Sequence, residues 1–377
     1  MGRITARSIV LLPEFLLLAA ACSIALIAGG CNESPATNGK KRIVLLINTP
    51  SSYWETGRKG MELAAKDLKL ADAGYEAVFA TNDQKEQGQI DVLRQLSTQH
   101  DIVGIAISPV KADNLAIVEE MRKLRKKGVH VICMDGDVDR AKYRDAREAY
   151  IGTDNFRAGE VLGDAAKHLL DDRKAAKGGY VDFVGFRTAQ NAIDRMDGIK
   201  KTLGGSYPEL DRMEDGTDLS VAKGNVRKAF ENHPDLQALV GIWSYNAPLI
   251  GDVVGREHAD RRSSLTVATF DCEAGAIEQM GKGNIDVMVV QNPYDICYQS
   301  VRLLEALAKD DTATVKKMLP DQGKEGGDIY NTDIRVVVPN DKSPLTANLF
   351  SQYGPTVQFF TLPKFKDWLN ERGLTGS

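Results

Sequence analysis

Two carboxylates, Asp135 and Asp271, a guanidinium, Arg195, and three amides, Asn48, Asn246 and Gln291, follow short β-branched runs along this chain. A carboxylate only accepts hydrogen bonds, a guanidinium only donates, and an amide does both. The aromatic pair Tyr53-Trp54 adds large rigid apolar area with a polar tip. That combination suits non-covalent recognition. Three members also have a plainer reading: Trp54 as core at a helix start, Asp271 as a turn cap, Arg195 as a helix-surface arginine paired with Asp194 or Asp197. No GxGxxG follows a strand, and GxxxxGK[ST], GxSxG and HExxH are absent, so nucleotide-binding and common hydrolase templates fail. The expectation is a binding protein with no catalytic residue, cofactor or metal.

Two tempting motifs read as structure. Asp135-Gly-Asp137-Val-Asp139 opens like a calcium loop, but Arg140 stands where glycine is required and Ala146 where glutamate is. The basic run Arg122–Lys127 suits the last turn of a helix, where cations face free carbonyls and Gly128 ends the element. Cys133, Cys272 and Cys297 form no CxxC, so they give neither a disulfide framework nor a zinc signature and read as small buried hydrophobes.

These residues are positioned by an alternation of strands and helices. Strands are expected at Arg42–Ile47, Glu76–Ala80, Ile102–Ile107 and His130–Met134, separated by helical spacing of apolar residues in Trp54–Leu68, Lys85–His100 and Asp113–Lys127. A second series of strands covers Tyr180–Val184, Leu239–Ile242, Leu265–Thr269 and Val287–Val290, with helices near Ala192–Leu203, Val221–Asn232, Ala274–Lys282 and Pro293–Ala308. Such βαβ series give parallel sheets covered on both faces. Asn292-Pro293 is a helix opening, a cap followed by proline. Asp321–Asp328 is a loop before a strand at Asp333–Val338, and Pro355–Trp368 is an extra segment.

With 377 residues the chain exceeds a typical domain of ~100–200, so two lobes are expected. Its 27% charged and 7% aromatic content is that of a soluble globular chain, and the net charge of −4 argues against nucleic acid as a partner. Arg3 and Arg7 precede an apolar stretch whose unbroken part, Phe15–Gly30, is 16 residues and reads as a signal sequence. Ala28-Gly29-Gly30-Cys31 resembles a bacterial lipobox, with acylation at Cys31 and a polar tether in Asn32–Lys41. Cys22, after Leu18-Ala19-Ala20-Ala21, is the rival site, followed by further apolar sequence.

In open α/β sheets ligands sit beyond the carboxyl ends of the strands. Read there in order, the chain offers Asn48 to Trp54, Met134-Asp135, Ile151 to Asn155 with Ala158-Gly159, Arg195 in Ile-Asp-Arg-Met-Asp-Gly198, Phe270-Asp271 and Gln291-Asn-Pro293. This succession, over roughly Lys41 to Pro339, resembles the periplasmic sugar-binding proteins of the ribose-binding type, whose lobes are shared with LacI-like repressors. The resemblance implies two Rossmann-like, doubly wound α/β lobes joined by a three-crossover hinge, the type I periplasmic binding protein fold, with crossings near Thr153–Asp154, Gln291–Asn292 and Thr332. The leader and its lipobox-like end put residues 1–30 in a signal peptide and 31–41 in a tether. Residues 42–153 with 292–331 form one lobe, 154–291 with 332–345 the other, and 346–377 an extension.

The same resemblance implies that Tyr53 and Trp54 pack on a sugar ring, that Asp135 and Asp271 accept its hydroxyls, and that Arg195, Gln291 and Asn48 supply donors and amides. A polyol needs both donors and acceptors. Two departures stand out: Gly136 follows Asp135 where arginine is common, and Trp243-Ser-Tyr245-Asn246 replaces the usual Asn-Asp pair, leaving Asn246 as the amide contact. The implied function is capture of a small carbohydrate, pentose or hexose, by a monomeric membrane-anchored lipoprotein outside the cytoplasm, with delivery to the membrane subunits of an ABC-type importer. The alternative is a sugar-sensing input subunit for a membrane receptor.

Overall fold

The computed structural model describes residues 39–175 and 177–376. The expected signal sequence, Cys31 and most of the tether lie outside the described residues. From Lys41 the chain builds β1 (Lys41–Leu46), α1 (Ser52–Asp67), β2 (Tyr75–Ala80), α2 (Glu86–Ser97), β3 (Ile102–Ile107), α3 (Leu115–Lys126), β4 (His130–Met134), α4 (Arg140–Tyr143) and β5 (Tyr150–Gly152). It then continues through α5 (Asn155–Asp172), β6 (Gly179–Val184), α6 (Gln190–Leu203), β7 (Glu209–Glu214), α7 (Leu219–Asn232), β8 (Leu236–Gly241), α8 (Asn246–Glu257), β9 (Thr266–Phe270), α9 (Ala274–Gly281) and β10 (Val287–Val290). The last part contains α10 (Pro293–Ala308), α11 (Thr312–Met318), β11 (Ile329–Asn331), β12 (Ile334–Val338), β13 (Val357–Thr361) and α12 (Leu362–Asn370).

These strands form two sheets, ordered β11-β5-β4-β3-β1-β2 and β13-β12-β10-β9-β8-β6-β7. Central strands such as Val287–Val290 are apolar and buried throughout, as a sheet covered on both faces requires. Around the first sheet, one core joins Ile43, Leu45 and Trp54 to Ile296 and Leu304, and another joins Val44 and Ile105 to Leu93, Met121 and Leu124. The second sheet has its own pair, with Val161, Leu162 and Met196 in one and Ile250, Met280 and Phe365 in the other. Burying one such side chain contributes about 1.5–3 kcal/mol.

The chain passes between the sheets three times, after β5, after β10 and after β11. Two crossings are tied together: the Thr332 N–H bonds to the Gly152 carbonyl at 2.8 Å, and Tyr150 donates from its hydroxyl to the carbonyls of Asp135 and Thr153. The crossings explain why β12 runs antiparallel to β10 while every other pairing is parallel. β10 runs into the hinge, whereas β12 starts from it.

Several elements carry no strong sequence signal. β7, Glu209–Glu214, is a half-buried edge strand rich in charge, and β5 and β11 have three residues each. The stretch expected as an extension supplies β13 at the edge of the second sheet and α12 against its core. The basic run after Arg122 does close α3, with Gly128 at φ 83° beyond it, and Asn292 caps α10 by accepting from the Asp295 N–H. All three cysteines beyond the tether are buried.

Candidate functional site

Asp135 follows β4 and Asp271 follows β9, in each case the strand that precedes the crossing strand of its lobe. Both have left-handed backbones, φ 60° and 61°, a conformation that side chains other than glycine, asparagine and aspartate rarely adopt. In each, the N–H bonds to the carbonyl of the next strand at 2.9 Å, to Ile151 for Asp135 and Val289 for Asp271. The turn ends strand pairing and aims the carboxylate past the sheet edge. Strain of this sort persists where surrounding structure holds it, and it gathers at ligand sites.

Arg195 is held by the interlocking of α5 and α6. A Cβ on Gly159 would stand 2.2 Å from the Arg195 carbonyl oxygen, and one on Gly198 would stand 2.1 Å from that of Phe156, so the helices can touch only with glycine at both places. The close approach lets Arg195 Nε donate to Asn155 Oδ1 at 2.9 Å and Nη1 to the Ile242 carbonyl at 2.9 Å, while Nη1 lies 3.9 Å from Asp271. The guanidinium sits over Phe270. It is 1% exposed, so it is no surface arginine.

Gln291, on the second crossing, donates from Nε2 to both oxygens of Asp271, at 3.2 and 3.0 Å. In the first lobe Tyr53 donates to Asp135 Oδ1 at 2.6 Å. Tyr53, Asp135, Asp271, Arg195 and Gln291 thus form a polar floor drawn from both lobes. The Arg195 charge reaches across to Tyr53 and Asp135. Burial, opposed by the Arg195 charge and the Gln291 bonds, pushes the Asp271 carboxyl up to about 6. Burial likewise raises Asp135, and it raises the Tyr53 phenol well above its ordinary range, helped by both carboxylates.

Asp135, of these five, opens onto a cleft of about 1130 Å³. Asn48 and Asp135 line it, together with Lys85, Arg140, Asn155, Asp194, Phe186 and Trp243. The remaining candidates, Tyr53, Trp54, Arg195, Asn246, Asp271 and Gln291, are buried and do not line it. Asn246 is one of these: its Oδ1 accepts from the Trp243 N–H at 3.1 Å and its Nδ2 donates to Asp215 at 3.1 Å, so its amide is committed to shaping the loop that carries Trp243.

Trp54 departs furthest from the place the resemblance implied. It is 2% exposed, its Nε1 donates to Asn48 Oδ1 at 2.8 Å, and its ring packs edge-on against Tyr53 and Phe79 in the first-lobe core. Successive residues of a helix point about 100° apart, so with α1 starting at Ser52 only Tyr53 faces Asp135. The aromatic wall belongs instead to Phe186 and Trp243, which meet edge to face at 5.9 Å. Phe186 lies two residues beyond β6, where reading that strand end would have found it. The acidic triplet is structural beyond Asp135: Asp137 accepts from Arg147 at 2.6 and 2.7 Å and from Arg140 at 2.6 Å, and Asp139 caps α4. Among the described residues no cluster could hold a metal ion.

Residues 43–312 match the profile of the periplasmic binding protein domain. Among curated proteins, the xylitol-binding protein of Mycolicibacterium smegmatis is 26% identical over 196 residues, covering 51% of this chain and 50% of that protein. The chain thus spans half the length of the curated relative it matches. Among solved structures, a solute-binding protein of an ABC transporter from Burkholderia graminis, in complex with D-arabinose, superposes with a TM-score of 0.68 at 21% identity, covering 82% of this chain and 99% of the other. A glucose-galactose binding protein from Geobacillus stearothermophilus superposes with a TM-score of 0.66 at 24% identity, covering 81% and 99%. These structures share the type I fold of two hinged α/β lobes. By its sequence match over most of the two lobes and by that architecture, the chain belongs to the periplasmic binding protein domain family.

Proposed function

We propose that this protein captures a small carbohydrate, a pentose, a hexose or the corresponding sugar alcohol, between its lobes outside the cytoplasm and presents the closed form to an ABC-type importer. The observation that carries the reading is the polar floor. Two strained carboxylates, a buried guanidinium and a hinge amide, contributed by both lobes, converge beneath a cleft with an aromatic wall. Hydroxyl groups match that set, donating to Asp135 and Asp271 and accepting from Arg195 and Gln291. Phe186 and Trp243 offer area to an apolar C–H face. Asn48 borders the cleft while Asn246 acts at one remove, through the Trp243 loop.

A ligand that touches both lobes only when they are shut stabilises that state by its differential affinity. Nothing is chemically transformed. Family membership supports work outside the cytoplasm, and acylation of Cys31, with residues 32–41 as a tether, would hold the monomeric chain at a membrane. The relatives that bind xylitol, D-arabinose and glucose or galactose support the ligand class.

Thermal-shift screening against pentoses, hexoses and alditols tests the reading. A saturable rise in melting temperature with members of one of these classes is expected, because a ligand bound only by the folded state adds RT ln(1 + [L]/Kd) to stability. A flat response across the panel at millimolar concentrations contradicts it.

A further inference from the structure

The segment after β13, which has no evident role in the sequence, leads from the second lobe to the first. Helix α12 buries Leu362, Phe365 and Leu369 in the second-lobe core, and the chain then reverses. Gly373 adopts φ 63°, its N–H bonds to the Asn370 carbonyl at 3.0 Å, and the Leu374 N–H bonds to Leu369 at 2.9 Å. This is the paired closure of a helix by a left-handed residue, with Leu374 tucked into the same core. Gly376 then lies wedged against the loop that carries Asp271, where a Cβ would stand 2.6 Å from the Cys272 carbonyl oxygen.

From that position the Gly376 carbonyl accepts a hydrogen bond at 2.8 Å from Thr56 Oγ1, 320 positions away on α1 of the first lobe. Thr56 is 5% exposed and stands about one helical turn beyond Tyr53, the residue that holds Asp135. One short stretch therefore touches the Asp271 loop of one lobe and the Tyr53 helix of the other. Within the second lobe, Arg335 joins α12 to the crossing. Its guanidinium is buried, held down to about 10 by desolvation, lies 4.0 Å from the centre of the Trp368 ring on α12, and donates to the Gln291 carbonyl at 3.4 Å. Gln291 is the crossing residue whose side chain grips Asp271.

We propose that residues 371–376 form a strap which ties the lobes together beside the hinge and favours their closed arrangement, with α12 anchoring it through Trp368 and Arg335. The proposal rests on the reading that the lobes open and close. Separating α1 from the Asp271 loop must break the Thr56–Gly376 hydrogen bond and uncover a buried hydroxyl. The worth of one such bond corresponds to about a fivefold change in the ratio of closed to open molecules. Neither Thr56 nor any residue of the strap lines the cleft, so the strap acts on affinity through the closed population alone.

The test needs no ligand. Spin labels at Lys126→Cys and Lys228→Cys, one exposed site in each lobe, report the interlobe distance by pulsed electron resonance in a chain whose Cys22 and Cys31 are serines. Thr56→Val and a chain stopped after Arg372 should both move the ligand-free distribution toward longer distances, with about a fivefold loss of the closed population for Thr56→Val and a larger loss for the shortened chain. Thr56→Val should leave circular dichroism unchanged, and it decides the matter should the shortened chain fail to fold. Distance distributions identical to the parent in the folded variants overturn the strap. A chain that responds in this way yet binds no carbohydrate keeps the strap and sinks the proposed ligand class instead.

Discussion

Asp135 and Asp271 are counterparts in the two lobes: each follows the strand before its lobe's crossing strand, each has a left-handed backbone near φ 60°, and each binds the next strand's carbonyl through its N–H at 2.9 Å. Their side chains are served differently, Asp135 by the Tyr53 hydroxyl and Asp271 by the Gln291 amide. The duplicated turn brings one carboxylate from each lobe to a shared floor, with Arg195 between them in charge if not in hydrogen bonding. Left-handed aspartates cost about 1–3 kcal/mol each in strain. Asp271→Gly should relieve part of that strain and raise the ligand-free melting temperature while weakening carbohydrate binding. A fall in melting temperature would show that the carboxylate's own contacts outweigh the strain.

The Asp271 carboxyl, raised to about 6 by burial, sets a pH dependence. Its ordinary value is about 4, so the folded state holds the proton more tightly than the unfolded chain. The stabilisation this gives is complete below pH 4 and is lost as pH rises from about 4 to 6, amounting to about 3 kcal/mol by pH 7. Hydroxyl donors to the ionised carboxylate favour the deprotonated form. Carbohydrate affinity should therefore rise about tenfold between pH 5 and pH 7, measured by titration calorimetry, and Asp271→Asn should flatten the profile.

Two tryptophans separate core from cleft. Trp54→Ala should destabilise the folded protein by about 3–5 kcal/mol, because it empties a fully buried site in the first-lobe core. Trp243→Ala should cost far less stability but weaken ligand binding, since its ring lines the cleft. Urea unfolding and ligand titration of both variants check the pair; reversal of the two effects would return the stacking role to Trp54.

Asp182 on β6 is fully buried, and burial followed by the Glu209 charge pushes its carboxyl well up, with a side-chain hydrogen bond to Glu209 acting in the same direction. Its contribution to stability therefore declines as pH rises above about 4. Asp182→Asn, which keeps the shape and removes the charge, should raise stability at pH 8 by about 1–3 kcal/mol and change it little at pH 4. Thermal unfolding at the two pH values distinguishes this from a uniform effect.

Much of this architecture is legible in the chain because the buried strands are apolar runs and their helices have periodic apolar faces, as in His130–Met134 and Pro293–Ala308. The strand-end rule then points to Asp135, Asp271 and Gln291. What escapes it depends on tertiary placement. Glu209–Glu214 pairs at a sheet edge where alternation is not enforced, and Val357–Thr361 becomes a strand only by joining β12. Trp54 and Tyr53 are adjacent and alike in type, and only the starting point of α1 decides which reaches Asp135. Arg140 and Asp194 come to the cleft from helices whose spacing marks them as ordinary surface residues.

Calorimetric titration reads whether both lobes grip a carbohydrate through the shared polar floor. The carbohydrate giving the largest thermal shift is titrated into the parent, Asp135→Ala and Arg195→Ala, one variant for each lobe. Each lost contact to a charged group corresponds to about 1.5–3 kcal/mol, or roughly 10-fold to 150-fold in affinity. One site per chain is expected in the parent and a loss of that size in both folded variants. Parent-like affinity in either variant would show that one lobe binds without the other and overturn the shared grip.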